Sequence, residues 1–591
     1  MSSIIQKLDL KKYKILNNLK DELNDSQLLL HWLRYHKQNI IFRPKQIYIS
    51  DDLSHFKRIK ILYNLYNYYS RDTPALFFGI YNEKDLNTII AHKGDRYIIW
   101  GGTDCDVRFQ QHRDLVSQIM RLPVMKHYAI SKSIYDRLIR LGFRCEKIEL
   151  NLTHTEYFKP LEKKGEAVYI YNGYEKGNEH IYGEEEYTYI TKKFNKFLYI
   201  HSHGMKIPYT KMANIYEKCF IGLRLTKNDG SANTVTEMKN MGLSVVHNGD
   251  FKDTLEWNNT QDIATHIHNE YFKKENVKNS VLDVNNFSDT IEDVLDDVRI
   301  INRYIKQYKT ILFICSDYPG WGGAATNCYD LIKYYKEEGY NVKGIFWTWT
   351  KKELKNLNVK DYDMKLANDI IFTTKKDLDK TLLELDIKPD LLILRNLTYV
   401  DVNNCFDCPI FLFLPGLFSD NLNKNSKLLN STSKIKKCLN NQLYSTMKKV
   451  DLIFVNNYNT QKLLKKYLNI NSVLFYFNLI PYLGISKNNE NKIKNREYDY
   501  GIIVSDFKRK IKNIPETVKK LDGKILLIGK NSDLIKEEFR DKNIDCLPLI
   551  SNLKVKHQLS KIKTVVLNSH YEGCSNVLIE GYYAGCNIQS S

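Results

Sequence analysis

The sequence predicts an α/β protein of several doubly wound parallel sheets, and three observations carry that reading. Short β-branched or aliphatic runs alternate with amphipathic helical stretches along the chain, the pattern of parallel strands covered on both faces. At 591 residues the chain is too long for one core, since domains run to about 100 to 200 residues each. Each half also contains an acidic residue and a glutamate eight positions apart, following an apolar run and opening a helical one.

Composition narrows the class. Hydrophobic residues make up 43% and charged residues 27% of the chain, proportions of a soluble globular protein that give no support to a disordered or fibrous one. The longest apolar runs, such as Pro409 to Phe418, are far shorter than the ~20 residues needed to span a bilayer and read as buried strands. The first residues alternate charges with single aliphatics and lack the apolar core of a secretory signal, so a cytosolic location is expected.

Eleven cysteines are scattered without a framework, as expected of reduced thiols. Cys405 and Cys408 form a lone CxxC, and His201-Ser-His203 has no third ligand in view, so no metal or redox centre is expected. The net charge of +19 favours anionic ligands. Basic residues are dispersed among many acids, however, so no nucleic-acid partner is expected. Diphosphate-bearing molecules, anionic acceptors or peripheral contact with a membrane surface account for the charge equally well.

Strands are expected in the first half at 46–49, 75–78, 96–100, 167–171, 197–200, 220–223 and 243–246. The second half offers 310–315, 342–347, 391–394, 410–414, 452–455, 501–504, 524–528 and 564–567. Residues 484–496 form the clearest linker, rich in Lys, Asn and Glu, and 161–165 a shorter one. Between the halves, Ser288 is expected to cap a helix in which Ile291, Val294, Leu295, Val298 and Ile301 recur at helical spacing, with acids early and Lys306 late. These divisions give four domains: residues 1–160, 161–308, 309–485 and 497–591.

The strongest local signal runs from His570 to Cys586. A strand leads into a small polar turn and then an apolar helix carrying Glu580. Glu572 and Gly573 fall in the turn, and the amides of Ser575, Asn576 and Val577 lie where the helix begins. Free amides and the positive end of the helix dipole make an anion site. Carboxylates on either side are suited to paired sugar hydroxyls. A second copy runs from Gly222 to Val246, where Asp229 and Glu237 keep the spacing and Gly230 follows the first acid.

These segments resemble the E-x7-E signature of retaining glycosyltransferases of the GT-B fold, family 4-like, here in two tandem copies. The resemblance implies two GT-B-like units, each of two Rossmann-like lobes, with an acceptor lobe followed by a donor lobe. It implies that Glu572 and Asp229 face the transferred sugar, Asp229 with one methylene less reach, and that Glu580 and Glu237 hold the nucleotide ribose. Gly230, Asn233, Gly573, Ser575 and Asn576 would complete the donor pocket. The loop Asp317 to Thr326, with Gly322 and Gly323, is similar to the family's glycine-rich first loop, and Glu149 to Pro160 to its crossover between lobes.

Such enzymes place cations where others use a metal, so no metal cofactor is expected, only a donor such as a UDP- or GDP-sugar. Lys512, and less clearly Arg509, would serve the second half, although Asp506 stands nearer the usual Arg position. Lys176 and Arg224 would serve the first. The family's acceptor-side His has no counterpart in Leu414 to Phe418 or Trp100 to Asp104; Asp104 stands there instead, as an acceptor-side candidate or a plain turn residue. The chain stops at Ser591 soon after the helix of Glu580, so the last lobe looks clipped. The expected activity is transfer of a sugar to a glycan, protein or lipid acceptor. The alternatives are a nucleotide-sugar epimerase or hydrolase, and a glycan-binding scaffold with one inactive half.

Overall fold

The computed structural model describes residues 44–590 except 58, 63, 107–109, 149, 151–152, 154–155, 174–178, 206, 227–231, 250, 284–285, 320–322, 349, 351–365, 367, 396–405, 416–440, 488–494, 510–511, 551 and 570–574. It divides into two compact units, one of Met1–Glu184 with Ile200–Glu256 and one of Glu185–Tyr199 with Trp257–Ser591.

The first unit carries two sheets. Sheet I has the strand order Tyr66–Asn67, Gln46–Ile49, Ala75–Phe78, Arg96–Trp100, Lys126–Ala129, Cys145–Lys147, all pairings parallel. Its centre is apolar on both faces: Ala75 to Phe78 and Ile98 to Trp100 are fully buried, as a sheet covered by helices on both sides requires. Sheet II has the order Ser244–Val246, Cys219–Leu223, Ala167–Ile170, Leu198–His201, its first three strands paired in parallel and its last strand falling where the chain is divided, at Tyr199. The chain therefore runs from Ala167–Ile170 to one side and returns to the other.

In the second unit, sheet III follows the order Ile370–Thr374, Asn341–Thr348, Thr310–Ser316, Leu391–Arg395, Ile410–Leu414, Leu452–Val455, Val473–Leu474. Sheet IV follows Ile544–Leu547, Ile525–Lys530, Tyr498–Asp506, Ile562–Leu567, Asn587–Ser590. All pairings in both are parallel. Each has the doubly wound order in which the first strand is central and the path reverses beside it. Ligands of such sheets bind outside the carboxyl ends of the two strands flanking that reversal. In sheet III these strands are Thr310–Ser316 and Leu391–Arg395, and in sheet IV Tyr498–Asp506 and Ile562–Leu567.

Helices Thr260–Lys274 and Phe287–Ile305 belong to the second unit. The latter buries Ile291, Val294, Leu295, Val298 and Ile301, the stripe expected from the sequence, but begins after Asn286, so Ser288 lies inside the helix and is not its cap. An aromatic cluster seats both helices. Phe197 stacks on Tyr304 with centroids 5.8 Å apart, Tyr308 meets Phe411 edge-on at 6.0 Å, and His268 Nε2 lies 2.6 Å from the Tyr304 hydroxyl. Burial draws the His268 pKa down to about 4, so this ring is neutral throughout the physiological range. Each aromatic pair adds about 0.5–1.5 kcal/mol to what area burial supplies.

Every strand expected from an apolar run is present, within a few residues at each end. Among the described residues seven more strands occur that the apolar runs do not announce: Tyr66–Asn67, Lys126–Ala129, Cys145–Lys147, Ile370–Thr374, Val473–Leu474, Ile544–Leu547 and Asn587–Ser590. Six of these are sheet edges, where one side meets solvent and the apolar signal weakens.

Candidate functional site

In sheet IV the first flanking strand ends at Asp506 and turns through the loop bearing Arg509 and Lys512. Asp506 holds that loop: its Oδ1 accepts from the Lys508 amide at 2.9 Å and from Asn531 Nδ2 at 2.7 Å. Those two bonds, the amide foremost, keep its carboxyl below the ordinary value. The backbone turns twice more, the Arg509 amide donating to the Asp506 carbonyl at 3.3 Å and the Lys512 amide to the Arg509 carbonyl at 3.0 Å. Both cationic side chains thus stand at the carboxyl end of the strand, half-buried.

The second flanking strand ends at Leu567, and Ser575 leads into helix Asn576–Tyr583. Ser575 is extended, with φ −73° and ψ 121°, and makes no side-chain cap bond. Asn82, Ser131, Asn259 and Asn457 do cap the helices starting at Glu83, Lys132, Thr260 and Tyr458, whereas those starting at Phe287, Ile514 and Ser532 begin, like this one, without a side-chain cap. Glu580 is buried one turn on. Burial, with a smaller contribution from the Glu580 charge, raises the Tyr482 phenol far above its ordinary value. Tyr482 stacks on Tyr583 of the same helix at 4.8 Å.

Sheet II repeats the placement. Strand Cys219–Leu223 is followed directly by Arg224, and helix Asn233–Asn240 starts after Ala232, a residue with no side-chain acceptor to cap it. Arg224 is nearly buried, its guanidinium 4.1 Å from the Tyr171 ring centroid and 5.6 Å from that of Tyr182. Its Nη1 lies 3.5 Å from Thr234 Oγ1 in the first turn of the helix. Glu237, one turn on, is buried and accepts the Tyr216 hydroxyl at 2.8 Å. Burial raises its pKa against the opposing pull of Tyr216, Tyr209 and Arg224. Asn233 opens the helix, so Arg224, Asn233 and Glu237 are gathered at one sheet end. Lys176, Asp229, Gly230, Gly322, Glu572 and Gly573 lie outside the described residues.

Two candidates are engaged by the protein itself. Asp104 is fully buried; its Oδ2 accepts from the amides of Gly101 at 3.0 Å and Ile80 at 3.4 Å, and its Oδ1 from that of Gly102 at 3.0 Å. It clasps two loops at the carboxyl edge of sheet I. Asp104→Asn turns one acceptor into a donor facing amide donors and is expected to cost about 1–3 kcal/mol, read as a lower unfolding midpoint and faster amide exchange at Gly101 and Gly102. Gly323 opens helix Gly323–Glu337, and its carbonyl accepts Asn576 Nδ2 at 2.9 Å. A methyl added at Gly323 would meet that nitrogen at 3.4 Å, an ordinary contact, so space alone does not demand glycine there.

No protein-family profile matches the chain, and no curated protein matches it. Solved glycosyltransferases overlay about half of it. The apo lipopolysaccharide outer core galactosyltransferase WaaB covers 48% of this chain and 80% of its own at 14% identity and TM-score 0.30. Sucrose-phosphate synthase from Thermosynechococcus elongatus covers 48% and 81% at 12% identity and TM-score 0.34. An alpha-glucosyltransferase in complex with UDP and a 13-mer DNA containing a HMU base covers 48% and 80% at 14% identity and TM-score 0.32. Superpositions this loose transfer no residue's role.

Sequence reasoning missed a buried polar group in the second unit made of Asn327, Arg395, Asn456 and Asn478. The one signal for it was an arginine closing the apolar strand Leu391–Arg395, where burial of so strongly hydrated a group needs partners. Among the described residues no cluster of three His, Cys, Asp or Glu is placed to hold a metal ion, and no helix is long and apolar enough to cross a membrane. The described cysteines are free thiols; burial pushes that of Cys408 up to about 12, and Cys405 lies outside the described residues.

Proposed function

We propose that the chain is a glycosyltransferase that binds a nucleotide-diphosphate-sugar at the carboxyl ends of sheets II and IV and transfers its sugar, with retention and without a metal, to a glycan, protein or lipid acceptor. One observation supports this above the others. The helices carrying Glu237 and Glu580 each follow a strand beside the path reversal of their sheet, and both begin without a side-chain cap. Amides left open at a helix start favour an anion, and Arg509 and Lys512 stand on the adjoining loop of sheet IV.

In this reading the diphosphate lies on the amides of Ser575 and Asn576, with Gly573 giving close approach, and Glu580 takes the ribose hydroxyls. Asn233, Gly230 and Glu237 do the same in sheet II, with Arg224 and Lys176 as the cations. Glu572 and Asp229 orient the transferred sugar. The bond from the anomeric carbon to the β-phosphate oxygen breaks, and one to the acceptor oxygen forms. The acceptor proton passes to the departing diphosphate, whose added charge the cations and amides stabilise. Peripheral approach to an anionic membrane would suit the net charge of +19.

Calorimetry of the intact chain with UDP and with GDP is the test. Two molecules of one of them are expected to bind per chain, with Glu237→Ala and Glu580→Ala each removing one. Lys512→Ala is expected to weaken the sheet IV site about tenfold at low salt and less at high salt. No binding of either nucleotide would refute the proposal.

A further inference from the structure

Four side chains in the second unit form a closed circuit with one backbone carbonyl. Arg395 is 1% exposed at the end of its strand, with its guanidinium 4.4 Å from the Phe477 ring centroid. Its Nη1 donates to the Phe413 carbonyl at 3.1 Å, and its Nη2 to Asn327 Oδ1 at 3.0 Å and to Asn478 Oδ1 at 3.4 Å. Asn478 Nδ2 donates to Asn576 Oδ1 at 2.8 Å, and Asn576 Nδ2 to the Gly323 carbonyl at 2.9 Å. Asn327 lies one turn after Gly323 in the same helix, so the circuit closes there.

The circuit has a direction, because a guanidinium only donates. It forces the Asn478 oxygen toward Arg395, and Asn456 Nδ2 points at the same oxygen from 3.4 Å. The Asn478 nitrogen must then face Asn576, whose oxygen turns to meet it, leaving the Asn576 nitrogen for Gly323. Reversing the buried Asn478 amide sets donor against donor, which costs about 1–3 kcal/mol; the link from Asn576 to Gly323 lies nearer solvent and constrains less.

We propose that Arg395 and Asn478 are positioning residues for the sheet IV donor site, holding the first residue of helix Asn576–Tyr583 in place through this one-way chain of amides. The inference rests on the diphosphate reading of that helix start. It gives the strand end of sheet III control over where the amides of Ser575 and Asn576 point, with no contact between Arg395 and the nucleotide.

Asn478→Asp separates positioning from support. Its carboxylate still receives Arg395 and Asn456, now with a charge pair, so the turn Phe477–Tyr482 stays anchored. It offers no hydrogen to Asn576, which either flips and releases Gly323 or faces a carboxylate with its own oxygen. The expected result is an unfolding midpoint at or above that of the parent, and affinity for UDP or GDP about tenfold lower at one of the two sites. Affinity for the bare nucleoside should be unchanged. Equal diphosphate affinity in a folded variant would overturn the proposal and leave the circuit a packing device. If Asn478→Asp does not fold, Asn478→Ser, too short to reach Asn576, is expected to show the same loss, and equal affinity there overturns the proposal too. A parent chain that binds neither nucleotide overturns the donor reading, and the positioning role with it.

Discussion

Arg395→Ala is expected to destabilise the second unit by about 4 kcal/mol or more, because truncation leaves a cavity and takes a donor from several buried acceptors. The Asn327 and Asn478 oxygens and the Phe413 carbonyl all lose a donor at once. Arg395→Met should cost about half as much. It fills the volume and removes the burden of holding a charge away from water, a burden visible in the guanidinium being drawn down to about 10 by burial. Denaturant unfolding followed by tyrosine and tryptophan fluorescence distinguishes the two. If methionine proves as harmful as alanine, the hydrogen bonds dominate and the volume is secondary.

Glu237→Gln is expected to raise stability at neutral pH while weakening nucleotide binding in the first unit about tenfold. The two effects share a cause. Burial raises the Glu237 pKa in the folded chain, so as pH climbs past the ordinary carboxylate range the unfolded chain releases this proton first. Stability therefore falls with rising pH until the raised folded value is passed, and is level beyond it. Glutamine carries no such penalty and still accepts the Tyr216 hydroxyl. The gain over the parent should fade below about pH 4, where the parent glutamate is protonated in both states. Thermal melts across pH 4 to 8, beside calorimetry with UDP and GDP, check both halves of the expectation.

The strands that carry the fold were legible because burial on both faces leaves near-continuous apolar runs, as in Ile410 to Leu414. Lys126–Ala129 was not, since Lys126 and His127 break the run although Tyr128 and Ala129 are buried. The candidate site was legible where spacing along one helix sets it, as with Glu237 and Asn233 or Glu580 and Asn576. Asp104 illustrates the limit from the other side: a carboxylate after a strand reads alike whether it meets a ligand or three backbone amides, and only the fold reveals the amides. The circuit of Arg395 was beyond reach because its links join residues 68, 83, 98 and 253 positions apart. No periodicity spans such separations.

The segment Glu185–Tyr199 belongs with residues made long after it. The Tyr189 hydroxyl pairs with Asp451, 262 positions later, and Lys193 donates to the Cys408 carbonyl, 215 positions later. At a synthesis rate of about 5–20 residues per second, Tyr189 waits roughly 13 to 52 s on the ribosome for its partner to emerge. Phe194 and Phe197, whose rings close on His268 in the finished fold, stay uncovered until His268 emerges. A nascent chain arrested near residue 256, with this stretch already clear of the ribosome, should therefore display a sticky aromatic stretch to chaperones that the released protein hides.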